Sequence, residues 1–194
     1  CMTAPISNWF ANNPLSKWAL KKLGVAPGRS LPPFASETFP QWFAKRNPIG
    51  RAKKVVLFHD TYMDYNYPEI GKAATQFLEA AGFEVMLAVK KCCGRPLLSS
   101  GYIERVKENA AANIEQLHRY VEQGYPIVGF EPSCVSMLQD DYCDLIDDPR
   151  AKVVAQNITT FEDFVSDLAQ RGELEVKFTE ATQKVLLHGH CHQK

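Results

Sequence analysis

Lys54-Val55-Val56-Leu57-Phe58-His59-Asp60 is the stretch from which the fold is read. Its apolar residues run without alternation, the pattern of a strand buried on both faces. Such strands belong to sheets covered by helices, and the following sequence supplies helices. Pro68 and Glu69 open one that carries Ile70, Ala73, Ala74, Phe77 and Leu78, and Gly82 closes it. Residues 84 to 88 read as a second strand. Ser99 or Ser100 caps a long helix with the apolar stripe Ile103, Val106, Ala110, Ile114, Leu117 and Val121, closed by Gly124. Residues 126 to 130 form a third strand. Helices are expected from about Pro149 and over 161 to 170, and the last strand over 184 to 187. Strands alternating with helices predict an α/β fold with a mainly parallel sheet and right-handed crossovers.

Upstream, residues 1 to about 50 read as an arm. They hold all three tryptophans (Trp9, Trp18, Trp42) and many of the prolines. Asn13-Pro14 starts a short helix over 15 to 23 that Gly24 stops, and the prolines beyond it predict an extended path. The chain opens with a cysteine ahead of its first methionine and closes just after a dense histidine and cysteine cluster. It is therefore read as a piece of a longer polypeptide.

Composition excludes several classes. Lys+Arg and Asp+Glu are both 22, so the net charge is zero. That argues against nucleic-acid binding driven by counterion release. No apolar run approaches the roughly 20 residues of a transmembrane segment, and no secretory signal is visible. Six cysteines without such a signal point to reduced thiols in the cytoplasm. Peripheral attachment to the inner membrane is compatible with this.

The chemistry lies in where the cysteines fall. Cys92-Cys93-Gly94 follows the second expected strand, Glu131-Pro132-Ser133-Cys134 the third, and His188-Gly189-His190-Cys191-His192 the last. Asp60 follows the first. In a parallel sheet these positions share one edge, where ligand crevices open. Soft thiolates with imidazoles suit iron–sulfur clusters, zinc or copper(I). The candidate metal and cofactor ligands are Cys92, Cys93, Cys134 and Cys191, with Asp60, Glu131, His188, His190 and His192 as further donors. Cys143 reads as an ordinary, partly buried cysteine. Residues 54 to 61 also echo residues 184 to 191, which suggests a duplicated module.

Together, Cys92-Cys93-Gly94-Arg95-Pro96-Leu97-Leu98, Glu131-Pro132-Ser133-Cys134 and His188-Gly189-His190-Cys191-His192 resemble the cysteine-rich CCG-domain family. The family includes a subunit of heterodisulfide reductase and the iron–sulfur subunit of glycolate oxidase. The similarity is strongest to the C-terminal iron–sulfur region of fused FAD-binding oxidases of the D-lactate dehydrogenase type. The resemblance implies a Rossmann-like α/β fold and electron transfer from a flavin. It divides the chain into an arm or linker (1–50), a first CCG-type domain (51–183) and the start of a second repeat (184–194). The full family pattern has a lone cysteine, Cys-Cys-Gly and Cys-x-x-Cys. Here Asp60 or Thr61 stands at the lone cysteine and Glu131 at the first position of Cys-x-x-Cys.

The implied function is an electron-transfer module. It takes electrons from a flavin domain that oxidises a 2-hydroxy acid such as lactate or glycolate, and passes them to an acceptor such as quinone. The implied cofactors are an iron–sulfur cluster and FAD on another domain; adventitious zinc or no metal is the expectation for this piece alone. Two other readings stay open: a non-redox metal-binding or docking domain, and a thiol–disulfide module using Cys92 and Cys93.

Overall fold

A computed structural model describes residues 3–26, 31–47, 49–180 and 183–191. Cys1 and His192 lie outside the described residues. Two compact units are present. One comprises residues up to Asn47 together with Thr61–Ala74; the other comprises the residues up to Asp60 that follow Asn47, and the chain from Thr75 on.

In the first unit, α1 (Ala4–Asn12) and α2 (Pro14–Lys22) meet at Asn13, which caps α2 through its side chain. α3 (Phe39–Ala44) follows, and α4 (Thr61–Tyr65) belongs to the same unit. The expected helix after Asn13-Pro14 is present, and Gly24 beyond it has φ +88°. The extended path predicted after it is interrupted by α3. That helix is started by a reciprocal capping box between Thr38 and Gln41. Two satisfied end donors outweigh the nearby prolines, one of which sits in the first turn, where it costs nothing.

The second unit holds a four-stranded, all-parallel sheet in the order β2-β1-β3-β4. The strands are β1 (Lys53–Phe58), β2 (Phe83–Leu87), β3 (Ile127–Gly129) and β4 (Ile158–Thr160). Val55, Val56 and Leu57 are fully buried, as an uninterrupted apolar run requires. α5 (Pro68–Ala80), which belongs to the first unit as far as Ala74 and to the second from Thr75, precedes β2, while α6 (Arg95–Ser99) and α7 (Ile103–Glu122) lead to β3. α8 (Pro132–Ser136), a π-helical turn (Met137–Asp141), α9 (Tyr142–Leu145) and α10 (Arg150–Ala155) lead to β4, and α11 (Phe161–Gln170) follows. The α/β reading holds.

Three expectations are corrected. Residues 184 to 187 form no strand: Val185, Leu186 and Leu187 are 86–96% exposed. The place beside β3 is taken by β4, and a strand without a ladder leaves its backbone groups to water. β4 itself was not anticipated. Neither Ser99 nor Ser100 caps α7: Ser99 lies in α6, Ser100 ends it, and Tyr102 precedes α7.

The strand order sets the place of the site. From β1 the chain goes to β2 on one side, then returns to β3 on the other. The order reverses between β1 and β3, and ligand crevices form at such a switch, outside the carboxyl ends of the strands. Phe58 is in register with Gly129, so Asp60 and Glu131 each stand two residues past that pair.

Candidate metal and thiol site

Cys92 and Cys93 sit in the loop after β2, held without regular secondary structure. The loop's backbone is satisfied instead by side chains from α7 and α9. Asn113 is fully buried. Its Oδ1 accepts from the Lys91 N–H at 2.7 Å, and its Nδ2 donates to the Tyr142 hydroxyl at 2.9 Å. That hydroxyl donates to the Cys93 carbonyl at 2.8 Å. Asn109 donates to the Cys92 carbonyl at 3.2 Å. Gly94 then turns the chain at φ +90°, a conformation that a side chain resists. A Cβ there would also press on Val106, 3.2 Å away.

Cys134 arrives from the other side, in the first turns of α8. Glu131 caps that helix, accepting from the Ser133 N–H and hydroxyl at 3.3 and 2.8 Å. α8 lies close to the sheet because Gly129 has no side chain: a Cβ there would stand 2.5 Å from Val135 Cγ2. Arg95 ties the two loops together. Its guanidinium donates to Asp141 at 2.6 Å and to the Ser136 hydroxyl at 3.2 Å. Arg95 therefore braces the Cys-Cys-Gly turn.

The outcome is a contact between residues forty-one apart in sequence. Cys93 and Cys134 sulfurs stand 3.0 Å apart and share a hydrogen bond. Because β2 and β3 flank β1, this contact spans the carboxyl end of β1. Cys92 lies beside the pair on the exposed side. The hydrogen bond to Cys134 and burial push the Cys93 thiol up to about 11. Hydrogen bonding to Cys93 and burial raise Cys92 further.

Two thiolates on one tetrahedral zinc, at bond lengths of about 2.3 Å, stand ~3.8 Å apart. The observed 3.0 Å needs only a slight opening of the pair. In kind, the three thiols fit a soft metal. In number they fall short of the four cysteines a cubane cluster takes. Among the described residues, no three His, Cys, Asp or Glu side chains surround one point as metal ligands do.

The remaining expected donors divide. Glu131 lies 3.8 Å from His190 Nε2, which brings the segment before Cys191 to the same edge. His188 and Cys191 are exposed, and His192 is outside the described residues. Asp60 is at the correct edge, half-buried. Cys143 stays apart, its thiol donating to the Gln139 carbonyl at 3.7 Å. Sequence reasoning missed Asn113 and Tyr142. The available signal was a polar residue between Ala110 and Ile114, inside an apolar stripe.

Residues 56–139 match the model of the cysteine-rich (CCG) domain. A subunit of anaerobic glycerol-3-phosphate dehydrogenase from Escherichia coli is 29% identical over 148 residues, covering 74% of this chain and 37% of that protein. Lactate utilization protein A from an Exiguobacterium species is 34% identical over 143 residues, or 71% of this chain and 56% of the relative. Lactate utilization protein A 1 of Bacillus anthracis is 27% identical over 145 residues, 72% and 57% of the two chains. The chain thus spans between about a third and just over half the length of these relatives. No solved structure matches. Residues 56–139, which carry Cys92, Cys93 and Cys134, are similar to the cysteine-rich domain family.

Proposed function

We propose that this chain is the electron-transfer module of an iron–sulfur dehydrogenase, in which Cys92, Cys93 and Cys134 are ligands. The observation that carries the reading is the convergence of these thiols on the switch point, with Cys93 and Cys134 at 3.0 Å. Relatives named as part of a dehydrogenase and as lactate utilization proteins support a redox setting. On this reading a flavin domain elsewhere oxidises a small 2-hydroxy acid, and the acceptor is a quinone or similar carrier. The domain division is part of the same proposal: an arm to about residue 50, one CCG-type domain to 183, and a second repeat from 184.

An iron–sulfur cluster, when bound, would supply one-electron transfer. The chain's own residues hold the thiols at fixed spacing, through the Asn113 and Tyr142 hydrogen bonds and the Arg95 brace. Glu131 and His190, at the same edge, are the candidates for a further ligand. Ligation and thiol–disulfide exchange both run through thiolate, so the hydrogen bonds and burial that favour protonated Cys92 and Cys93 weigh equally on the two readings.

Prepared in air, the protein is expected to contain no stoichiometric iron and sulfide, because three thiols leave a cluster open to solvent and oxygen. Anaerobic reconstitution with iron and sulfide is expected to give brown, cysteine-dependent absorption that Cys93→Ser or Cys134→Ser abolishes. Colourless protein after reconstitution, with the serine variants behaving like the parent, would leave the docking-domain reading in its place.

A further inference from the structure

The first unit contains helices folded with their apolar side chains outward. In α1, Ile6, Trp9 and Phe10 follow i, i+3, i+4 spacing and share one face. That face is solvent-exposed. The opposite side is small and polar: Ala4 is buried, and Asn8 pairs in both directions with the Phe34 backbone at 2.8 Å. α2 buries no residue, and its Leu15 and Trp18, with Leu23 just beyond, are exposed as well. These six large apolar side chains are between 56% and 80% exposed. A helix of a globular protein normally shows the reverse, with its apolar stripe turned to the core.

Charge on this segment has one sign. From residue 1 to 36 there is no Asp or Glu; Glu37 is the first acid. Lys17, Lys21 and Lys22 lie on or beside α2, and Lys22 Nζ sits 4.5 Å over the Trp18 ring. The chain as a whole is neutral, so the cationic bias is local. Trp and Phe with lysines and without acids are the composition of a helix that lies in an anionic lipid interface. The lysine stems reach past the apolar residues to the headgroup level. Each helix has nine residues, far short of a bilayer span, and no helix among the described residues is long and apolar enough to cross one.

We propose that α1 and α2 form an interfacial anchor that docks this protein on an anionic phospholipid surface. Ile6, Trp9, Phe10, Leu15 and Trp18 enter the acyl boundary, and Lys17, Lys21 and Lys22 contact the headgroups. The inference does not rest on the redox reading. Vesicle binding and metal loading report on different residues, so either can fail alone.

The test is co-sedimentation of the 194-residue chain with phosphatidylcholine vesicles, with and without phosphatidylglycerol. Binding is expected only to the anionic vesicles, with a blue shift of tryptophan emission and weakening as salt is raised. Trp9→Ser with Trp18→Ser is expected to reduce partitioning by about tenfold or more. Reversing Lys17, Lys21 and Lys22 to Glu is expected to reduce it by about a hundredfold. All five positions are exposed, so circular dichroism should match the parent. If it does not, quenching of the parent's tryptophans by brominated lipid decides the matter without a variant. Equal binding to neutral vesicles, no quenching, or a lipid-free dimer abolished by the tryptophan substitutions would overturn the proposal; the last would assign the face to a second copy.

Discussion

Gly129→Ala is expected to destabilise the protein by about 2–3 kcal/mol, although it adds a single methyl group. A Cβ at this position would stand 2.5 Å from Val135 Cγ2, closer than packed atoms tolerate. Val135 is buried and cannot swing away, so α8 must lift off the sheet and carry Cys134 away from Cys93. The pair Gly129→Ala and Val135→Ala separates this from a general intolerance of substitution. In the Val135→Ala background the glycine substitution should cost much less, with a coupling of about 1–3 kcal/mol in urea denaturation. Simple additivity of the two costs would show that the close approach is not what constrains position 129.

The second large effect is expected at Asn113. Asn113→Ala removes the partner of the Lys91 N–H and leaves the Lys91 and Cys92 carbonyls and the Tyr142 hydroxyl short of a donor. Each buried group left unmade costs about 1–3 kcal/mol, so a loss of about 3 kcal/mol is expected, at unchanged denaturant slope. Tyr142→Phe removes one hydroxyl and should cost about 1 kcal/mol. Cys93 is nearly fully buried, so alkylation should be slow in the parent and much faster in Asn113→Ala. Parent-like stability and labelling in that variant would show that the loop is held by its own turns.

The two strongly apolar stretches show what a sequence pattern conveys. Residues 54 to 58 and 184 to 187 have the same form, lysine followed by aliphatics. The first is the centre of the sheet, and the second is exposed. An apolar run reports that a segment can pair, whereas the partner is a property of the rest of the fold. β4 was missed for the opposite reason. Ile158-Thr159-Thr160 is only three residues long, two of them polar, and its last residue doubles as the cap of α11. The capping box at Thr38 and Gln41 was present in the sequence but masked by the surrounding prolines.

The site was legible to the extent that topology determines it. Cys92, Cys93 and Cys134 were placed at one edge because each follows a strand, and the structure brings two of their sulfurs within 3.0 Å. Its support was not legible. Asn113 interrupts an apolar stripe and reads as a flaw in the pattern. Tyr142 lies in an acidic stretch, past a π-helical turn that no residue type announces. Their value appears only when the loop carbonyls they serve are known.

The amide clamp at Asn113 also sets a clock. The Lys91 N–H belongs to no strand, yet its acceptor is a fully buried side chain in the middle of a twenty-residue helix. Breaking that bond strands a fully buried amide, so the Lys91 N–H is expected to exchange with solvent far more slowly than in an ordinary surface loop, which moves in nanoseconds to microseconds. A segment without regular secondary structure thereby borrows the slow opening of the core beneath it, and with it a lasting spacing of its cysteines.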